Sequence, residues 1–154
     1  MTSITMNASI DFATHADIEA MADLLTELFT LESDFQPERD KQLRGLRLIL
    51  DNPQIGRLFV LRVDGEVAAM ANALITVGTA EGGPVLLLED VIVKARFSGH
   101  QLGHRLVEHV LDWPRSNAMP RVTLLADKDN SPALAFYERR GFAPSAMKVL
   151  RRAL

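Results

Sequence analysis

The sequence predicts a mixed α/β domain. Three observations carry that prediction. Short apolar runs bounded by turn residues recur at 57–63, 66–77, 85–93, 122–126 and 142–150. Stretches with apolar residues three and four apart fall at 15–30, 38–51, 102–113 and from Ser131 to Gly141. In the second half the two kinds alternate, strand then helix then strand, which is the pattern of β-α-β crossovers. A chain of 154 residues suits a single domain, 1–154, built around one core.

Taken in order, residues 1–8 read as a loose leader ahead of a core over 9–150. Ser9 to Phe12 is a short strand. Thr14 and Asp17 have the spacing of a capping box, and Ile18, Met21, Leu24, Leu25 and Leu28 follow helical periodicity, so a first helix covers 15–30. Pro37 opens a second helix over 38–51, which Asp51-Asn52-Pro53 ends. Arg57 to Val63 is a strand, Asp64-Gly65 a two-residue hairpin turn, and Glu66 to Val77 the returning strand. After the turn at Glu81-Gly82-Gly83-Pro84, Val85 to Val93 is apolar enough to lie inside a sheet. Leu102, Leu106 and Val110, with Val107 and Leu111 beside them, define a helix that Pro114 is expected to stop. Val122 to Ala126 is a strand. Ser131-Pro132 opens a helix that Gly141 caps, and Phe142 to Leu150 reads as a last strand.

Composition narrows the function. The net charge of −3 gives no basic footprint for nucleic acid, and the absence of cysteine removes disulfides, thiolate metal sites and a cysteine nucleophile. His15 and His109 have no metal-ligand spacing. The N-terminal segment lacks the basic-then-apolar pattern of a signal peptide. No run is apolar for long enough to span a bilayer. A cytoplasmic, soluble protein without a metal or a membrane partner is expected.

Two stretches carry chemistry. In the first, the strand ending Glu89-Asp90-Val91-Ile92-Val93 leads through Ser98-Gly99-His100-Gln101-Leu102-Gly103 into a helix that continues His104-Arg105. A helix start offers unpaired N–H groups and the positive end of the helix dipole, an anion site by construction. Gly99 and Gly103 let backbone approach a phosphate, although the same spacing also serves an ordinary strand–helix turn. The second stretch runs Asn130-Ser131-Pro132-Ala133 through Phe136-Tyr137-Glu138-Arg139-Arg140-Gly141-Phe142.

Together these stretches resemble the acetyl-CoA motif and the motif that follows it in the GCN5-related N-acetyltransferases (GNATs). The specific motifs lie within 85–142, and the order of elements over 9–150 is similar. The resemblance implies an acyl-CoA N-acyltransferase fold, with a central mixed sheet of about six to seven strands flanked by four helices. It also implies acetyl-CoA as co-substrate and a primary amine as acceptor. The family's phosphate loop is Gln/Arg-x-x-Gly-x-Gly/Ala. Here Ser98 replaces the first residue and Gln101 the first glycine, a departure that bears on coenzyme affinity more than on fold.

The roles that follow are implied by the resemblance. The strand 85–93 splays from its neighbour, Val91, Ile92 and Val93 bind the pantetheine arm, and a strand amide polarises the thioester carbonyl. The backbone from Ser98 to Arg105 holds the pyrophosphate. His100, His104 and Arg105 either add charge there or form a solvated helix face. Asn130 and Phe136 contact the coenzyme, or Asn130 is simply a turn residue ahead of a helix. Tyr137, the only tyrosine, protonates the departing thiolate or is a half-buried packing residue. Glu89 is the base that deprotonates the amine, or a surface carboxylate or the partner of an arginine. Asp90 falls on the opposite face if the strand is regular, which selects Glu89; a bulge would upset that choice. Phe29, Glu32 and Phe35, with Asp34, Glu38 and Asp40 nearby, line an acidic acceptor mouth or form a solvated loop. Arg139-Arg140 meets the 3′-phosphate or complements the helix C-terminus.

Three functions follow: an amine N-acetyltransferase acting by direct attack in a ternary complex, a non-catalytic acyl-CoA sensor or scaffold, and a protein N-terminal or lysine acetyltransferase. A homodimer formed through the segment 146–154 is a further expectation.

Overall fold

The computed structural model describes residues 7–32 and 34–154. Five strands form one sheet in the order β1 (Ala8–Phe12), β2 (Gly56–Val63), β3 (Glu66–Gly78), β4 (Gly83–Val93) and β5 (Val122–Leu124). Pairing is antiparallel from β1 to β4, and β4 pairs parallel with β5. Helices α1 (Ile18–Leu31) and α2 (Arg39–Leu50) connect β1 to β2, α3 (Leu102–Ser116) connects β4 to β5, and α4 (Ser131–Glu138) follows β5. No helix among the described residues is long and apolar enough to cross a membrane.

Alternation along β2 explains why its sequence, LFVLRV, is almost wholly apolar. Phe59 and Leu61 join Leu102, Leu106 and Val110 of α3 in one cluster. Leu58 and Val60 join Met21, Leu24 and Leu25 of α1 and Leu46 of α2 in the other. Both faces of the sheet are therefore buried, and each buried leucine or valine contributes about 1.5–3 kcal/mol relative to exposure. The Asp64-Gly65 turn takes positive φ at both residues, +49° and +84°, the twist that a two-residue hairpin needs.

The capping residue at the head of α1 has a second task. The Asp17 carboxylate accepts from the Thr14 amide (2.8 Å) and forms a forked pair with Arg62 of β2 at 2.5 and 2.8 Å. The guanidinium holds the carboxyl below its ordinary range, and Asp17 is 6% exposed. The pair ties the head of α1 to β2.

Three expectations are corrected. The sheet has five strands among the described residues, not six to seven: residues 142–150 form none. Pro144 removes one backbone donor from that segment, and among the described residues it pairs with no strand. Phe142 packs against the core, but the apolar side chains beyond it stay in solvent, with Met147 at 85% and Leu150 at 93% exposure. Pro114 does not stop α3, which runs to Ser116; the proline falls in the last turn, and its carbonyl accepts from Asn117 (3.2 Å) and Met119 (3.0 Å). Ala8, assigned to the leader, lies in β1; residues 1–6 of that leader lie outside the described residues.

Candidate active site

The site begins with an irregularity in β4. Ile92 pairs with Met70 and Glu89 with Asn72, so Asp90 and Val91 both face the single residue Ala71. Asp90 takes φ +54°, the left-handed region. This is a bulge, and it reverses the parity of the strand. Leu86 and Leu88 point to the α3 side, whereas Ile92 packs with α1 and α2, and Val91 and Val93 take over the α3 side. In a regular strand Asp90 would follow Leu86 and Leu88. Instead its carboxylate accepts from Asn72 Nδ2 at 3.2 Å and lines a cavity beneath α1 and α2. Alternation therefore no longer separates Glu89 from Asp90.

The bulge also marks where the sheet opens. The β4–β5 ladder ends at Leu88 and Leu124, so residues 89–93 have no β5 neighbour. Beyond β4, Ser98 Oγ donates to the Ala95 carbonyl at 2.7 Å, and His100 is exposed. Gly99 has φ +83° and Gln101 φ +58°. Gln101 sits where the loop pattern has glycine, and its backbone is the conformation that glycine adopts freely. An L-residue there costs about 1–2 kcal/mol. The first helical bond of α3 runs from the Arg105 amide to the Gln101 carbonyl (3.1 Å). The amides of Leu102, Gly103 and His104 precede it and are the free ones. Arg105 extends toward β1, with Nη2 3.5 Å from the Ala8 carbonyl. His104 Nδ1 is buried without a partner among the described residues.

A Cβ built on Gly103 would touch Phe136 and Val93, each at 3.5 Å. The start of α3, the end of β4 and α4 thus converge at one point. Asn130 caps α4, its Oδ1 accepting from the Ala133 amide at 3.2 Å, so its turn role is realised in the structure. Arg140 lies over the Phe136 ring at 3.9 Å and donates to the Phe136 carbonyl at 2.8 Å. Phe136 and Phe142 flank Tyr137 edge-on, with centroids at 5.2 and 5.8 Å. Burial, and after it the charge of Glu32, pushes the Tyr137 phenol up to about 12.

Carboxylates gather on the other side of the opening. The Glu32 carboxyl is raised by burial and then by the charges of Asp90, Asp127, Asp34 and Glu89. Glu89 is raised by burial and by Asp90, with Arg151 opposing. Asp90 is raised by burial, against the hydrogen bond from Asn72. The cavity beside them measures about 640 Å3, and Phe29, Asp34, Phe35 and Glu38 are among its lining residues. Asp40 is not. The C-terminal segment crosses its mouth: Arg151 Nη1 donates to Asp34 at 2.7 Å, and Arg151 Cζ lies 5.2 Å from the Phe35 ring centroid.

The structure thus gathers Tyr137, Glu32, Glu89 and Asp90 around one opening, with Val91 to Val93 and the α3 amides beside it. It leaves Ser98, His100 and Arg105 facing other groups or solvent. Reading the sequence missed Asn72, Asp127 and Arg151. Asn72 had a signal, a lone amide in the apolar run AAMANALI; the other two had none.

The profile of the acetyltransferase (GNAT) family matches residues 18–142. The chain belongs to the GNAT family. Among its relatives, a mycothiol acetyltransferase of Beutenbergia cavernae is 32% identical over 90 residues, which are 58% of this chain and 29% of that protein. A glucosamine 6-phosphate N-acetyltransferase of Arabidopsis thaliana is 27% identical over 128 residues, covering 82% of this chain and 83% of that one. In fold, a possible acetyltransferase from Clostridium difficile 630 superposes with a TM-score of 0.86 at 17% identity, over 96% of this chain and 97% of that chain.

Proposed function

We propose that this GNAT protein is an N-acetyltransferase that moves the acetyl group of acetyl-CoA to the primary amine of a small molecule, by direct attack in a ternary complex. One observation carries the reading: the bulge at Asp90 turns a carboxylate into an acceptor-side cavity at the level where β4 parts from β5. Coenzyme and amine can then meet at a single strand. The free amides of Leu102 to His104 suit a diphosphate, and Val91 to Val93 suit an extended pantetheine arm. Acetyl-CoA supplies the activated acyl group; every other contribution belongs to the chain.

The amine reaches the site protonated, since a lysine-like amine has a reference pKa of about 10.4. Glu89 is the proposed base, directly or through a water. Its partial burial favours taking a proton. Tyr137 stays protonated at neutral pH and offers its O–H to the sulfur as charge builds there. A phenol near 12 is a weaker acid than a thiol of about 8.5. Its help is therefore a directed hydrogen bond that stabilises the departing thiolate. A stand-alone proton transfer would run uphill. Phe136 and Phe142 hold the ring for that task.

A cavity of about 640 Å3 is sized for a compact ligand, which favours a small molecule over a protein tail. A homodimer is part of the proposal, and another observation supports it. β5 has one neighbour in the sheet, and the exposed Met147, Val149 and Leu150 form an apolar run able to add a strand to such an edge in a second copy. Acetyl-CoA chemistry fits a cytoplasmic setting.

Calorimetry with acetyl-CoA, followed by detection of free CoA across an amine panel, tests the proposal. Binding with amine-dependent CoA release is expected. Binding without release from any amine would leave a sensor or scaffold, and no binding would remove both readings.

A further inference from the structure

The acceptor cavity already holds a cation at its mouth, and that cation is the chain's own. Arg151 Nη1 donates to the Asp34 carboxylate at 2.7 Å, and its Cζ stands 5.2 Å from the centroid of Phe35. Asp34 and Phe35 both line the cavity, and Phe29 backs Phe35 with ring centroids 5.6 Å apart. A carboxylate beside an aromatic face is a receptor for a guanidinium or an ammonium group.

Folding gains little from this contact. Among the described residues, it is the only hydrogen bond that joins residues 143–154 to the rest of the chain. The segment joins no ladder, and Leu150 and Arg152 on either side of Arg151 are exposed. The pair itself is open to water, with side-chain exposures of 49% for Arg151 and 65% for Asp34. An exposed pair of this kind holds weakly, so it gives way to a competing cation.

Charge elsewhere in the wall shows which carboxylates are still to be matched. Lys41 pairs with Glu38 at 3.0 Å, and Arg151 covers Asp34. Among the described residues, Asp90 meets the neutral amide of Asn72 at 3.2 Å and no cation. The charge of Arg151 reaches Glu89, so the mouth and the proposed base share one electrostatic space. A ligand with one cation leaves Arg151 where it is. A ligand with two can meet the inner carboxylates and take over Asp34 as well. A phosphate ester would bring an anion to the same group of carboxylates.

We infer that Asp34 and Phe35 form a second cation subsite of the acceptor cavity, held by Arg151 until a substrate displaces it, and that the acceptor is a primary amine carrying a further cationic group. The inference rests on the transferase reading above and gives it a substrate class. The reacting amine lies toward Glu89 and Asp90, and the second cation takes the place of the Arg151 guanidinium between Asp34 and Phe35.

Two measurements on the 154-residue chain test it. In the first, agmatine, a primary amine with a guanidinium at its far end, is titrated calorimetrically into protein saturated with CoA. Butylamine, the same body without the guanidinium, and glucosamine 6-phosphate are the comparisons. Wild type binds agmatine at least tenfold more tightly than either. Asp34→Asn weakens agmatine at least tenfold more than it weakens butylamine, while CoA affinity holds. Arg151→Gln removes the internal competitor and tightens agmatine at least threefold, with a smaller change for butylamine. A purely structural tie would leave agmatine no tighter, or weaken it. Both substitutions are at exposed side chains, so neither threatens folding. In the second, acetyl transfer to agmatine is followed at saturating acetyl-CoA, and its KM falls in Arg151→Gln. No binding of agmatine, equal or tighter binding of either comparison amine, an Asp34→Asn variant that keeps the preference, or an Arg151→Gln variant that binds agmatine no better than wild type overturns the inference, whether or not acetyl transfer occurs. The expected binding pattern without transfer to any amine fails the transferase reading alone.

Discussion

The two halves proposed for the site, a coenzyme side and an acceptor side, are built from different materials. On the coenzyme side, the end of β4, the loop 95–101 and the start of α3 present mainly backbone: a bulge, two residues with positive φ and a turn of free amides. On the acceptor side, α1, α2, β3 and the C-terminal segment present side chains: Phe29, Glu32, Asn72 and Arg151. Every chain has the same backbone groups, so the first half can serve one coenzyme throughout a family. The second half depends on the particular side chains that stand there. On the function proposed above, the side chains would set the substrate's identity and the backbone the reaction's.

Substitutions can break this division or sharpen it. The largest expected effect is on stability. Asp17→Ala leaves Arg62 without its partner and should cost about 3 kcal/mol at neutral pH, read by urea denaturation. The folded Asp17 carboxyl lies below its ordinary value of 3.8. The unfolded state thus binds more protons as pH falls, and the pair's contribution, complete above that range, is lost through it. The gap between wild type and variant should close at acid pH; a constant gap would show that the pair does not anchor the acceptor helices.

Tyr137→Phe comes next. It should lower kcat about 10²-fold while acetyl-CoA affinity holds, which keeps the two halves separable. Tyr137 is the lone tyrosine, so its ionisation can be followed directly by ultraviolet absorbance. A midpoint near 12 is expected; one at about 10 would mean that the phenol is not enclosed as described.

Glu89→Gln should remove the acidic limb of the pH–rate profile. Because burial raises the Glu89 carboxyl, its ionisation disfavours the folded state as pH rises. The variant should then be no less stable than wild type at neutral pH. An acidic limb that persists unchanged would transfer the base role to Asp90, on the acceptor side of the divide.

The smallest effect is expected from Gln101→Gly, which relieves the backbone at φ +58°. It should stabilise the fold by about 1 kcal/mol and tighten acetyl-CoA binding a few-fold without altering amine preference. A change in amine preference would contradict the separation of the halves.

Much of the coenzyme half was legible because its signals are local. The step from strand to glycine-bearing loop to amphipathic helix, and Asn130-Ser131-Pro132 ahead of Phe136-Tyr137, lie within short spans where residue type and backbone conformation are coupled. Phe29, Glu32 and Phe35 were legible only as a cluster of types. Asn72 and Arg151 come from positions far apart in the chain, and nothing in their neighbours announces that they meet Asp90 and Asp34. The last strand, read over 142–150, does not form, because an apolar run carries no information about whether it joins a ladder.

Composition, periodicity and turn chemistry determined the class of fold and most element boundaries, while the roles proposed for the loop and for Tyr137 came from the resemblance to the GNAT family. Tertiary structure decided the parity of β4. One extra residue opposite Ala71 turned Asp90 from the α3 side to the cavity, a choice that depends on how two strands register and not on the residues of either one. Side-chain direction in a strand has period two, so a single bulge reassigns every position beyond it, and only the paired sheet reveals where that bulge falls.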